Sequence, residues 1–302
     1  MMDGFLNVLK PPGLSSGAVV AIVKRVTGEK AGHAGTLDPE ACGVLPVMVG
    51  RATRLFDFLV DKRKVYLTEI AFGEATDTQD AQGTVTERGE NYPDTETVDA
   101  VLPQFIGDIM QMPPMYSALK RNGETLYKLA LRGETAELEA RPIRIDAIER
   151  LAETPRHGML LRVTCGRGTY IRTLCHDIGR ALGCPAHMRF LLREQTGAFG
   201  IDTAVTIEEL KSASPEEIAS RYLMPLDAPL QHFRQYDVPE IFWKKCLNGV
   251  PLKKEEHGLE TGEGECIRLY ADNGFIGISQ AEADGTLTPR MVISKQEGWK
   301  KQ

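Results

Sequence analysis

Gly32-His33-Ala34-Gly35-Thr36-Leu37-Asp38-Pro39-Glu40-Ala41-Cys42-Gly43-Val44-Leu45-Pro46 runs from a loop into a short apolar stretch, Val44 to Val49, that suits a buried strand. Glycines and prolines bracket a single aspartate. Pro39 pushes Asp38 out of helical geometry into an extended conformation. The glycines let a backbone or a ligand come close. An aspartate held this way is placed to present a bare carboxylate. The same Asp-Pro pair also reads as an Asx-turn that merely starts a loop.

Upstream of this stretch, Gly4 to Leu9 reads as a strand ended by Lys10-Pro11-Pro12-Gly13. Ser15 or Ser16 then caps a helix with Val19, Val20, Val23 and Val26 on one face and Gly28 as its stop. Downstream, Lys64 to Phe72 is rich in β-branched and aromatic residues and predicts a strand. Thr97 to Phe105 and Leu126 to Leu131 look helical, and Arg144 to Leu151 pairs with Met159 to Cys165 as strands. Thr169 to Leu182 predicts a helix stopped by Gly183 and Pro185. Two capping boxes follow, Thr206 with Glu209 and Ser214 with Glu217. A break in character falls near Pro225 to Pro229. Beyond it, Asp272-Asn273-Gly274 between two apolar runs signals a hairpin in a small β-rich region. Strands and helices mix without regular βαβ alternation, so the fold class is α+β rather than a doubly wound sheet.

The chain has 302 residues, room for one large domain or a main domain with a small one. Apolar residues make up 42% and charged residues 26%, close to a soluble globular average, which excludes a disordered tail, a collagen and a coiled coil. No run approaches the roughly 18 apolar residues of a membrane span. The first residues show no basic or apolar region of a secretory signal. The six scattered cysteines predict reduced thiols, not a disulfide framework.

The net charge of −6 argues mildly against a nucleic-acid partner, but averages hide patches. Charges from Glu74 to Asp108 are mostly acidic, whereas Arg162, Arg167, Arg172, Arg180, Arg189 and Arg193 face only Asp177 within their stretch. Lys62-Arg63-Lys64 and Lys120-Arg121 are further basic clusters, and such local fields are what a polyanion meets. No phosphate-binding loop, dinucleotide fingerprint, H-E-x-x-H or Cys/His cluster occurs. Asp77 to Gly83 fails the calcium-loop pattern, so no metal and no cofactor is expected.

Two more segments carry chemistry. Lys64-Val65-Tyr66 leads through a strand into the polar turn Gly73 to Gly83, and Tyr66 offers a face for stacking a base. In Cys165-Gly166-Arg167-Gly168-Thr169-Tyr170-Ile171-Arg172-Thr173-Leu174, two glycines precede a helix carrying Tyr170 and Arg172 in its first turn. A strand tyrosine also reads as core filler. A helical arginine reads either as a solvated charge or as an inward partner for a buried carboxylate.

Together these segments resemble the signature motifs of the bacterial tRNA pseudouridine synthase B family (TruB), which makes pseudouridine 55 in the T arm of tRNA. The likeness begins at Asn7-Val8-Leu9-Lys10-Pro11-Pro12-Gly13-Leu14-Ser15-Ser16 and continues through Gly32 to Pro46, Lys64 to Gly83 and Met112 to Lys120. It closes with Gly168 to Leu174, Ala186 to Leu191 and Met224-Pro225-Leu226-Asp227, covering about the first 230 residues.

The resemblance implies the pseudouridine synthase fold, a mainly antiparallel central sheet with flanking helices, plus a small PUA-like domain. It divides the chain into a catalytic part at 1–228, with an insertion at about 113–142 that grips the T loop, and an RNA-binding part at 229–302. It makes Asp38 the nucleophile, Tyr66 the residue that packs on the base and a candidate for proton transfer, and Arg172 the ion-pair partner of Asp38. Tyr170 lines the base pocket, and His33 and Leu191 match positions that contact RNA. The implied enzyme is a cytoplasmic, cofactor-free, metal-free isomerase, a monomer whose partner is tRNA, with no membrane and no obligate protein partner. Burial is expected to raise the Asp38 pKa, whereas an arginine within reach lowers it by about 1–3 units, so Arg172 is expected to keep Asp38 ionised in a closed site. The competing classes are a tRNA-binding module without catalysis and a base glycosylase.

Overall fold

The computed structural model describes residues 2–59, 63–117, 119–121, 123–126, 129, 132, 134, 138–272 and 274–293. Its strands, in chain order, begin with β1 (Gly4–Lys10), β2 (Ala31–His33), β3 (Cys42–Val49), β4 (Lys64–Phe72), β5 (Glu74–Thr76), β6 (Val85–Arg88) and β7 (Gly107–Gln111). They continue with β8 (Lys120–Arg121), β9 (Glu124–Thr125), β10 (Arg141–Thr154), β11 (Gly158–Cys165), β12 (Ala186–Thr196), β13 (Phe199–Gly200), β14 (Val205–Thr206) and β15 (Leu223–Met224). Then come β16 (Arg234–Asp237), β17 (Cys266–Ala271), β18 (Gly274–Ala281) and β19 (Leu287–Val292). The helices used below are α1 (Ser16–Thr27), α2 (Thr95–Val101) and α3 (Ile171–Ala181). None among the described residues is long and apolar enough to cross a membrane.

Among the described residues, one large sheet runs β14-β1-β3-β12-β4-β11-β10-β7, with β2, β13 and β15 attached at its side. Its pairs are antiparallel except β3 with β12 and β1 with β14. The class is therefore α+β with a mixed, mainly antiparallel sheet. β1 and β3 are buried on both faces, and the two-residue period of a strand sorts their side chains. Leu6, Val8, Leu45 and Val47 meet Val19, Val20 and Val23 of α1. Phe5, Val44 and Met48 point the other way into a cluster that also holds Ile278, Met291 and Ile293 of the small sheet.

The local signals act as their chemistry dictates. Ser15 Oγ accepts from Ala18 N at 3.1 Å, and Gly28 closes α1 in the left-handed region at φ 69°. Both capping boxes form. Thr97 to Phe105 is realised as α2, which starts two residues earlier behind Asp94, followed by a 3₁₀ turn over Leu102–Phe105. α3 starts two residues later than expected, because Tyr170 is extended (φ −100°, ψ 110°). Its buried face, Ile171, Leu174, Cys175 and Ile178, packs with Ile70, Leu161 and Val163 of the sheet.

β12, the strand joining β3 to β4 at the middle of the sheet, carries no strand signal in the sequence. Arg189, Arg193 and Glu194 break its apolar pattern, and two register shifts against β4 interrupt its alternation. The small sheet, ordered β16-β17-β18-β19, contains the expected hairpin, although Asn273 lies outside the described residues. Lys62, most of Leu126–Leu131 and part of 113–142 lie outside them too. The six cysteines are free thiols.

Candidate active site

Asp38 sits in the loop between β2 and β3, and that loop is pinned from several sides. Ser16 Oγ donates to Leu37 O at 3.0 Å and accepts from Leu37 N at 2.9 Å. Gly13 N donates to Pro39 O at 3.0 Å. Two buried cations complete the hold. Lys10 Nζ donates to Pro39 O at 2.7 Å and to Ala41 O. Arg193 donates from Nε to Val44 O at 2.7 Å, from Nη2 to Gly35 O at 3.1 Å and from Nη1 to Thr36 O at 3.4 Å. Gly43 lets β3 meet β12 closely: its φ is 108°, and a Cβ there would lie 2.3 Å from Arg193 O.

Arg172 rises from the first turn of α3 and meets Asp38 with two donors, Nε to Oδ2 at 2.9 Å and Nη2 to Oδ1 at 3.3 Å. The pair is asymmetric: the arginine side chain is 5% exposed and the aspartate 38%, so the guanidinium backs a carboxylate whose free edge faces outward. The same guanidinium donates to Thr78 O at 3.1 Å and Tyr116 O at 2.8 Å, and lies 3.7 Å from Asp80 Oδ2. It thus ties the Asp38 loop, the turn after β5 and the segment after β7 to one helix. Asp80 is itself oriented by Thr78 Oγ1 at 2.7 Å and Gln82 N at 3.0 Å.

The electrostatics correct one expectation. The Asp38 carboxyl lies above its ordinary value, because burial disfavours the charged form; Arg172 pulls it down and Asp80 pushes it up. The arginine moderates the desolvation without reversing it. Burial likewise lowers Lys10 to about 8. Burial also raises the Tyr66 phenol, opposed by the positive charge of Arg193.

Tyr66 is buried on β4, opposite Arg193 of β12, in an apolar cluster with Leu37 and Leu191. Tyr170 caps α3, its backbone gripped at both ends by the buried amide of Gln111, which accepts from Tyr170 N at 2.8 Å and donates to Tyr170 O at 3.0 Å. Both tyrosines lie within electrostatic reach of Asp38. His33 ends β2 at the mouth of the loop; burial and Arg193 push its pKa down, which favours the neutral ring. The structure therefore joins Asp38 and Arg172 directly, sets Tyr66 and Tyr170 within electrostatic reach, packs Leu191 in the cluster that holds Leu37 and Tyr66, and places His33 at the end of β2 before the loop.

Lys10, Asp80, Gln111 and Arg193 also belong to the site, although the sequence gives no signal that marks them as site residues. Lys10 and Asp80 stand inside quoted motifs, but a lone charged residue ordinarily reads as surface. The basic stretch 162–193 does not form an open stripe. Arg172 and Arg193 are buried, and Arg162, Arg180 and Arg189 pair with Glu194, Glu87 and Glu69 at 2.8, 3.1 and 2.7 Å. Among the described residues no cluster of three or more His, Cys, Asp or Glu side chains could hold a metal ion.

Comparison with known proteins supplies a second line. Residues 24–171 match the family model described as TruB family pseudouridylate synthase (N terminal domain), and residues 172–231 match tRNA pseudouridylate synthase B C-terminal domain. The chain is 43% identical over 279 residues to the tRNA pseudouridine synthase B of Alkaliphilus oremlandii (strain OhILAs), covering 91% of this chain and 92% of the relative. It is 41% identical over 303 residues to that of Stutzerimonas stutzeri (strain A1501), covering 98% and 97%. In three dimensions it is similar to a chain of a solved Cbf5-Nop10-Gar1 complex, with a TM-score of 0.74, 25% identity, and 96% of this chain and 85% of that one covered.

Proposed function

This chain belongs to the TruB family of pseudouridylate synthases, and we propose that it isomerises uridine to pseudouridine in tRNA, at position 55 of the T arm, with Asp38 as nucleophile. The observation that carries the site assignment is the two-pronged contact of Arg172 with Asp38, which leaves one carboxylate edge free. The reaction breaks the C1′–N1 bond, turns the base and forms C1′–C5. C5 loses its proton and N1 gains one, so the product has the mass of the substrate. Everting the uridine costs a few kcal/mol, and stacking on an aromatic ring offsets about 1–3 kcal/mol. Tyr66 and Tyr170 supply such rings beside the carboxylate. Leu191 and His33 line the approach.

The small sheet at 229–302 fits an RNA-binding role, and residues 113–142 fit a grip on the T loop. The enzyme acts as a cytoplasmic monomer. Incubation with an unmodified tRNA transcript, followed by nucleoside analysis and mapping, is expected to show pseudouridine at 55 with an equal loss of uridine. Free uracil would instead make the protein a glycosylase, unchanged nucleosides with retained binding a non-catalytic module, and pseudouridine elsewhere would overturn the position.

A further inference from the structure

We propose that Arg193, a residue outside the contact with the substrate, is the positioning residue that sets the Asp38 loop and the Tyr66 ring against each other. The inference rests on the proposed isomerase reading of the site. Arg193 is 0% exposed, the largest of the fully buried side chains among the described residues, and no carboxylate pairs with it there. A buried guanidinium without a counter-ion is costly, and an apolar residue of similar volume would fill the space without that cost.

What Arg193 does with its donors is specific. Nε reaches Val44 O after the Asp38 loop, while Nη2 and Nη1 reach Gly35 O and Thr36 O before it. One planar group therefore bridges both arms of the loop at 2.7–3.4 Å. The register of β12 with β4 places Arg193 directly across from Tyr66. Gly43 packs against the Arg193 backbone and fixes the root of the side chain. Lysine has the charge but not the rigid fork that spans three carbonyls.

The test uses the full-length chain and an unmodified tRNA transcript, with single-turnover rate and Kd measured separately for Arg193→Met and Arg193→Lys. A loop displaced by about 1 Å costs on the order of 100-fold in rate. The expected result is a Kd within about threefold of wild type and a rate down about 100-fold in Arg193→Met and about 10-fold in Arg193→Lys. In a Tyr66→Phe background, Arg193→Lys is expected to lose part of its effect, because the two act as a unit. Rate and affinity falling together, an unchanged rate in Arg193→Met, or strict additivity with Tyr66→Phe would overturn the inference. If Arg193→Met fails to fold, Arg193→Lys decides by the same split. A wild-type chain that forms no pseudouridine overturns the functional reading and this inference with it.

Discussion

Asp38 is asked to attack as an anion from a place that disfavours anions. Burial and Asp80 push its pKa up, and Arg172 recovers only part of the shift. The folded protein thus binds this proton more tightly than the unfolded chain, so the stability linked to Asp38 is highest in acid and falls as pH rises from the ordinary carboxylate value through the raised one. Removing one partner of a buried pair commonly costs 3–5 kcal/mol. Here Arg172 would keep the Thr78 and Tyr116 carbonyls and Asp80. Asp38→Asn is therefore expected to melt at or above the wild-type temperature at pH 7, to bind tRNA and to form no pseudouridine; turnover by this variant would reject the nucleophile. The same shift predicts an acid limb of kcat/KM above the ordinary aspartate range. Asp80→Asn removes a neighbouring negative charge, so it should move that limb to lower pH, and a limb that stays or climbs would remove Asp80 from the network. Asp38 and Arg172 were legible through the resemblance of their motifs to a known family; proline, glycines and a helix start alone left Asp38 open as a loop turn and Arg172 as a solvated charge. Lys10 and Arg193 were not, since nothing in a one-dimensional string distinguishes a cation facing carbonyls from one facing water.

Among the elements, the strands with clean alternation and the helices with caps were legible, while β12 was hidden by the charges that make it useful. Its parallel pairing with β3 depends on Gly43, where φ is 108° and the space for a Cβ is taken by Arg193 backbone. Gly168, before α3, has a similar φ of 83° but nothing within 4 Å. Backbone strain alone costs about 1–3 kcal/mol. Gly168→Ala is expected to fall in that range, and Gly43→Ala to cost more, about 3 kcal/mol or above, because the strands must also part. Urea unfolding of the two variants checks the difference, and equal losses would mean that the β3–β12 contact gives way without penalty. Activity should follow the same order, since the strand that moves carries Arg193.

For the molecule as a whole, the question is whether the small sheet rides on the large one or supports it. A break near Pro225–Pro229 and an RNA-binding reading of 229–302 together imply that cutting after about Leu230 weakens RNA affinity more than chemistry. The packing gives the cut a second consequence. Ile278, Met291 and Ile293 share one apolar cluster with Phe5, Leu55 and Phe199, and with Ala34 and Val44, which flank the Asp38 loop. Arg268 donates to Phe233 O at 2.9 Å and to Tyr270 Oη at 3.0 Å, and the Tyr270 hydroxyl donates to Asp227 at the end of the large sheet's chain segment. Truncation would expose this cluster and loosen the loop, so it mixes lost binding with lost support. A single deletion of side chain separates them. Ile278 is 0% exposed, and Ile278→Ala should cost about 2–5 kcal/mol through the cavity it leaves. If the small sheet buttresses the catalytic loop, this variant lowers both the melting temperature and the single-turnover rate at saturating tRNA, where affinity no longer matters. Arg290→Ala, at an exposed position on β19, serves as the contrast and should leave that rate unchanged. A destabilised Ile278→Ala with a wild-type rate would make the small sheet a passenger in catalysis, joined to the loop by packing alone.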